Sequence, residues 1–144
     1  RKSHSLGGAL MAMEILRRMN MDPPERSAVC AAIGNHDEGI GQPVNEVAAA
    51  LILADKSHVH RNRVRNRDVA SFDIHDRVNY AAKYSILEIN EEDRVITMEV
   101  NIDTDICPVM EYFEIFLGRM LLCRRAASFL DCQFELVING AKLL

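Results

Sequence analysis

Residues Val95 to Ile102, which read VITMEVNI, decide how the chain is divided, because they mark the change from a helical to a strand period. Apolar side chains fall at every second position of this stretch, which predicts a strand with one buried face. The segment Ile86 to Ile89 precedes it as a partner strand. The short turn Glu91 to Asp93 predicts that the two strands form an antiparallel hairpin.

A long helix and a last strand are predicted after the hairpin. The helix begins at Pro108 and ends near Leu130, and alternating apolar residues from Cys132 to Ile138 predict the strand. If this strand pairs parallel to the strand before the helix, the crossover is expected to be right-handed. Residues 84–144 are therefore interpreted as a small mixed α/β extension made of a β-hairpin, a long helix and a strand.

Residues 1–83 carry a helical period instead. Apolar residues recur at steps of three and four from Leu6 to Leu16, which predicts a first helix that ends before the two prolines at 23 and 24. Three further helices are predicted, which begin at Pro23, Pro43 and Ser71. The expected fold is thus mainly α, with a helical domain over residues 1–83 and the small extension packed on it over residues 84–144.

The composition argues against disorder and against a membrane span. The chain has 144 residues, 49% hydrophobic and 26% charged, with a formal net charge of −4, which is typical of a globular domain. Its longest apolar run, Val47 to Ala54, has less than half of the roughly 20 residues that a transmembrane helix needs. The four cysteines form no C-x-x-C pair and are expected to be reduced, which predicts a cytoplasmic location. Because the chain begins at Arg1 rather than at methionine, we expect it to start inside a longer protein.

Asp55 is the first candidate functional residue. It follows the apolar run on the same helical face as Ala48 and Leu51. An unpaired carboxylate on a core-facing position costs several kcal/mol. The position therefore predicts a bound cation, an ion pair with one of the nearby arginines, or a strong hydrogen-bond network.

Histidines and carboxylates lie at the edges of the neighbouring predicted helices. His4 and His36 are expected close to Asp55, and imidazole together with carboxylate suits a borderline divalent metal. Asp37 and Glu38 follow His36 directly. A hydrogen-bonded histidine without a ligand role is the preferred interpretation of each histidine taken singly. A solvated acidic loop is likewise preferred for Asp37 and Glu38 taken alone.

A basic stretch follows Asp55 at once, and its members are Lys56, His58, His60, Arg61, Arg63, Arg65 and Arg67. Ammonium and guanidinium groups bind phosphate through charge-assisted hydrogen bonds, so Lys56, His60 and Arg61 are predicted to bind phosphate. A solvated helix end is an alternative, above all for Arg63 to Arg67. The net negative charge and the absence of aromatic residues in the stretch argue against a nucleic-acid partner.

Three segments together resemble a known family: HSLGGA at residues 4–9, AAIGNHDE at residues 31–38 and ALILADK at residues 50–56. They are similar to the later portion of the HD-domain metal-dependent phosphohydrolases, and the similarity covers about residues 1–67. The resemblance implies an HD-type helical domain in which Asp55 is the late aspartate ligand. The early histidine and the His-Asp doublet of that family have no match here, and we expect both to precede Arg1. Residues 72–144 look like the tail of a bacterial subfamily.

The resemblance implies a hydrolase that uses a divalent metal, for which manganese, magnesium, iron, cobalt, nickel and zinc are all candidates. Its substrate would be a small phosphomonoester or phosphodiester, with nucleotides included. The predicted metal ligands are His4, His36 and Asp55, where the two histidines either hold a second metal or contact the substrate phosphate. The predicted catalytic residues are Asp37 and Glu38, as ligands of a second metal or proton acceptors, and Lys56, which orients the phosphate.

Two other kinds of protein remain open at this point. One is a non-catalytic phospholigand-binding or signalling module, in which the basic stretch binds a phosphorylated ligand and no turnover occurs. The other is a structural homodimer formed through the rear sheet and the long helix. Calorimetry and light scattering, respectively, would separate these alternatives from the enzyme.

Overall fold

A four-stranded mixed sheet and the helices packed on it form the centre of the molecule. The computed structural model describes residues 3–66 and 68–143. The helices and strands in chain order are α1 His4–Arg18, α2 Pro23–Gly34, α3 Glu46–Ser57, α4 Ile74–Ala81, β1 Ala82–Asn90, β2 Val95–Ile102, α5 Val109–Phe129, β3 Gln133–Ile138 and β4 Ala141–Lys142. Two single turns of 3₁₀ helix, Arg61–Arg63 and Val69–Ser71, lie between α3 and α4.

The sheet has the strand order β1-β2-β3-β4. β1 and β2 are antiparallel, with Leu87 opposite Met98, so the predicted hairpin is confirmed. β2 and β3 are parallel, with Met98 opposite Leu136, and α5 connects them as a crossover helix. β4 adds an antiparallel edge next to β3, which sequence periodicity did not reveal because this strand is only two residues long.

One face of the sheet is buried against helices. In β2 the side chains at alternate positions are buried, and β3 repeats this pattern through Phe134, Leu136 and Ile138. Helix α5 packs on β3 and contributes the buried rings of Tyr112 and Phe116. Burial of this much apolar area is the main favourable term in folding, so the sheet and α5 carry most of the core.

The predicted fold class, a mainly α HD-type helical domain with a small extension, is wrong. Over the described residues, five helices pack with a four-stranded mixed sheet, and the molecule is a mixed α/β fold. The reason is that α3 buries Ala49, Ile52 and Leu53 in the same apolar cluster as β2, β3 and α5. Helix α3 packs directly on α5, so the rear sheet forms the centre of the core instead of an appendage.

Helices α1 and α2 pack mainly on each other, and α2 in turn contacts α3. Of the residues that the structure describes, the main apolar cluster takes none from α1 or α2. The outer side of α1 is open, with Leu10 75% and Met11 68% exposed. The front pair of helices is therefore joined to the rest of the fold through α2.

Two helix starts differ from their predicted positions because side-chain caps decide them. Helix α3 begins at Glu46 rather than at Pro43, since the Asn45 side chain accepts a hydrogen bond of 2.7 Å from the backbone N–H of Ala48. Helix α4 begins at Ile74 rather than at Ser71, since Asp73 accepts one of 2.8 Å from the N–H of Asp76. Both are ordinary N-caps that satisfy otherwise unpaired N–H groups.

Two further expectations concern the chain as a whole. None of the helices over residues 3–66 and 68–143 combines the length and the apolar character needed to cross a bilayer.

All four cysteines have free thiols, and three of them, Cys30, Cys107 and Cys123, are buried. The division of the chain near residue 83 stays a prediction, and α4 passes into β1 at Ala81 and Ala82.

Candidate functional site

Two histidine rings meet between α1 and the end of α2. His4 Nε2 and His36 Nε2 are 3.3 Å apart, although the residues are separated by 32 positions. The close approach of the two helices makes this possible: a Cβ on Gly8 would already lie 3.2 Å from Cγ2 of Ile33. A larger side chain at Gly8 would therefore push α1 away from α2 and separate the rings.

The hydrogen bonds of His36 define which of its ring nitrogens carries the proton. Its Nδ1 lies 2.6 Å from the carbonyl oxygen of Ile33, and a carbonyl oxygen only accepts hydrogen bonds, so Nδ1 carries a proton. In a neutral ring, Nε2 then presents a lone pair towards His4. This is the tautomer found in many metal-binding histidines, where a backbone carbonyl orients the ring.

Two carboxylates flank the histidines. Asp37 Oδ2 lies 4.0 Å from His4 Nδ1, and Asp55 is close enough to His36 for a charge on that ring to lower the pKa of Asp55. Burial raises the pKa of Asp55, but the hydrogen bond and charge of Lys56, helped by the charges of His36 and Arg119, outweigh burial and leave the pKa below its usual value. Asp55 is thus held in its charged form.

These residues fit part of a metal site. Two nitrogens bound to one tetrahedral ion at about 2.0–2.1 Å lie about 3.3 Å apart, which matches the distance between His4 Nε2 and His36 Nε2. Within the described part of the chain, however, no three histidine, cysteine, aspartate or glutamate side chains already form a group that could hold a metal ion. The histidine pair supplies two ligand positions, and the Asp55 carboxylate forms an ion pair with Lys56.

Lys56 is the buried cation of the site. Its side chain is only 6% exposed, and its Nζ lies 2.7 Å from Asp55 Oδ2 and 3.4 Å from Glu38 Oε1. Lys56 thus lies in the same pocket as Asp55. Asp55 is therefore ion-paired, but with Lys56 and not with one of the arginines that the sequence suggested.

Arg119 joins the site from α5 and was missed in the sequence. Its Nε donates a hydrogen bond of 3.0 Å to Glu38 Oε1, and its side chain is 15% exposed. No local motif marks Arg119, and the packing of α3 on α5 is what brings it beside Lys56. The interhelical cluster, as we call it from here on, consists of His4, His36, Asp37, Glu38, Asp55, Lys56 and Arg119.

The other predicted phosphate-binding residues contact different parts of the fold. His60 caps the first 3₁₀ turn, where its Nδ1 accepts a hydrogen bond from the N–H of Asn62. The guanidinium of Arg61 lies over the ring of Tyr80, 5.4 Å from its centre. Arg63 and Arg65 are exposed, as expected for a solvated face. Arg67, the last member of the basic stretch, lies outside the described residues.

Comparisons of the chain with protein-family models, with curated proteins and with solved structures found no match. The fold and the interhelical cluster are therefore interpreted from their own geometry. The resemblance of the motifs at residues 4–9, 31–38 and 50–56 to a phosphohydrolase family stays a prediction from sequence.

Proposed function

We propose that this protein is a metal-dependent phosphohydrolase that acts on a small phosphomonoester or phosphodiester, with nucleotides as candidate substrates. The observation that supports this proposal is the approach of His4 Nε2 and His36 Nε2 to 3.3 Å beside a buried lysine. Two imidazole nitrogens and a cation in one cluster can serve a metal and a phosphate group together. The motif resemblance described for the sequence supports the same proposal.

In this proposal His4 and His36 bind the divalent ion, and Asp55 provides the third ligand. When bound, such an ion supplies a Lewis acid that acidifies water and offsets the charge of the phosphoryl oxygens. The bond from His36 Nδ1 to the Ile33 carbonyl keeps the His36 ring oriented for this role. Asp55 would exchange part of its contact with Lys56 for the ion.

The remaining members of the cluster have roles at the substrate. Lys56 orients the phosphate, because its ammonium is held in place by two carboxylates. Asp37 lies beside His4 and accepts a proton or binds a second metal. Glu38 is a weaker candidate for that role, because Lys56 and Arg119 already engage its carboxylate.

The test is phosphate release from a panel of phosphate esters and nucleotides with each divalent metal in turn. The wild-type chain, extended by any natural upstream sequence, should release phosphate only with a metal. Asp55→Asn should lose this activity while its circular dichroism stays unchanged. Glu46→Gln, an exposed change in the first turn of the same helix, is the matched control. A wild-type protein that binds no divalent metal at high concentration would contradict the proposal.

A non-catalytic phospholigand-binding module is the second candidate. The ion pair between Asp55 and Lys56 favours it, because a carboxylate engaged by a lysine is less available to a metal. Calorimetry separates the two functions: a nucleotide that binds with a 1:1 stoichiometry but is never hydrolysed indicates the module.

The cellular setting and the oligomeric state are part of the same proposal. Four free thiols in the described residues are in keeping with a reducing, cytoplasmic environment. The partners we propose are a small phosphorylated substrate and a second copy of the chain, without nucleic acid. Sedimentation at several protein concentrations measures the self-association.

A further inference from the structure

Arg119 is a buried cation whose donors are only partly used. Its guanidinium lies over the ring of Phe116, 4.4 Å from the ring centre, which fixes its position. Its Nε donates to Glu38, but within the described part of the chain the buried Nη1 has no hydrogen-bond partner. An unpaired donor on a buried charge is costly, so the position suits an additional anionic acceptor.

Glu38 bridges Arg119 and Lys56 through a single oxygen. Its Oε1 lies 3.0 Å from Arg119 Nε and 3.4 Å from Lys56 Nζ. Two cations from different helices, α5 and α3, thus converge on one carboxylate oxygen. A phosphate oxygen is the other common partner of such a pair of donors.

Glu38 is the most exposed of the three side chains that meet here. The residue lies on the exposed part of the loop after α2, followed by Gly39, whose surroundings are open. At Gly41 the loop turns back onto its own start, so that a Cβ there would overlap the carbonyl oxygens of Asn35 and Asp37. The backbone at Gly41 therefore holds the loop, and rotation of the Glu38 side chain is enough to free the two cations.

We propose that Arg119 and Lys56 together bind the phosphate group of the ligand, and that the Glu38 carboxylate occupies their donors until phosphate displaces it. The ligand class rests on the proposed function. Phosphate brings more acceptor oxygens than a carboxylate, so Arg119 Nη1 gains a partner while Arg119 Nε keeps one.

The test is calorimetry with inorganic phosphate, in the presence and in the absence of manganese. Arg119→Met keeps the apolar stem over Phe116 and should weaken phosphate binding by about tenfold or more, as expected for a lost charge-assisted hydrogen bond. Glu38→Gln removes the competing charge and should tighten phosphate binding by about threefold or more. Arg125→Met, an exposed change on the same helix, is the matched control and should leave the affinity unchanged.

Each outcome decides the inference. Unchanged phosphate affinity in Arg119→Met, weaker binding in Glu38→Gln, or no phosphate binding by the wild type at millimolar concentration overturns it. If Arg119→Met does not fold, the sign of the Glu38→Gln effect decides, because Glu38 is exposed and its replacement is tolerated by the fold. Failure of the proposed function gives a different result: the expected changes in phosphate affinity appear, but no phosphate ester is hydrolysed with any metal.

Discussion

Arg119 on α5 donates a hydrogen bond of 3.0 Å to Glu38, a residue 81 positions earlier on the loop after α2. This ion pair joins the loop that carries His36 and Asp37 to the long helix behind it. Together with Lys56 on α3, it gathers side chains from three separate parts of the chain into one cluster. The metal and phosphate sites proposed between α1, α2 and α3 therefore depend on the position of α5.

Replacing the two histidines tests whether they share one ion. His4→Ala and His36→Ala should each weaken binding of zinc or manganese by at least about tenfold, because each removes a nitrogen ligand. The double variant should bind only slightly worse than either single variant, since ligands of one ion are not additive. Titration calorimetry measures the three affinities, with His75→Ala on the exposed side of α4 as the control. Independent, additive losses would show that the histidines do not hold a common ion.

Lys56→Met should lower the free energy of unfolding by about 2 kcal/mol at pH 7, because it leaves the Asp55 carboxylate without its buried partner and Glu38 with Arg119 alone. Lys83→Met is a matched comparison. The Lys83–Asp103 pair has a similar length, 3.1 Å, but the lysine is 50% exposed, so its loss should cost less than about 1 kcal/mol. Urea denaturation measures both values. Equal effects would mean that the burial of Lys56 contributes nothing to stability.

Leu136→Ala should lower the free energy of unfolding by about 2–5 kcal/mol, because Leu136 is fully buried in the centre of the sheet. The exposed residue Leu10 on α1 offers the contrast, since Leu10→Ala should change stability by no more than about 0.5 kcal/mol. Chemical denaturation followed by circular dichroism gives the two numbers. A small effect at Leu136 would contradict a core centred on the sheet.

The buried thiols predict a loss of stability in alkali. Burial raises the pKa of Cys123 to about 12, and burial with the nearby charge of Glu111 raises that of Cys107 to about 11. In the unfolded chain the pKa of both thiols lies near its ordinary value of 9.0, so the unfolded state loses protons that the folded state retains. Stability is therefore complete below pH 9 and falls above it, by up to about 1.4 kcal/mol per pH unit for each thiol.

Denaturation curves from pH 8 to pH 10.5 measure this fall. Cys123→Val should reduce the slope, whereas Val100→Ala should lower stability by the same amount at every pH. Identical slopes in wild type and Cys123→Val would contradict the predicted role of the thiol.

Local patterns predicted the elements of the fold well. The period of two in Val95 to Ile102 identified β2, and Pro108 marked the start of α5 within one residue. Pro23 and Gly34 are also the observed ends of α2. These signals work because periodicity and helix-breaking residues act within a few positions of the chain.

Long-range packing was not predictable in the same way. The sequence alone does not reveal whether α3 buries its apolar face against the other front helices or against α5. In the structure α3 packs on α5, and for this reason the predicted mainly α fold class is wrong. Arg119 was missed for the same reason, because its partners Glu38 and Lys56 are distant in sequence. His4 and His36 were expected near Asp55 from their positions at helix edges, and the structure brings their two rings to 3.3 Å from each other.

The outer side of α1 is open, and within the described ranges the main apolar cluster contains no residue of α1 or α2. These two observations predict that this part of the fold has a low local stability. Few buried contacts oppose a separation of α1 from α2, so this pair should open in native-state hydrogen exchange well before the strands do. A zinc ion shared by His4 and His36 would link the two helices and slow amide exchange in α1 while leaving β2 and β3 unaffected. Exchange followed by mass spectrometry, with and without zinc, would thus report occupancy of the histidine pair from the protection of a helix at the edge of the molecule.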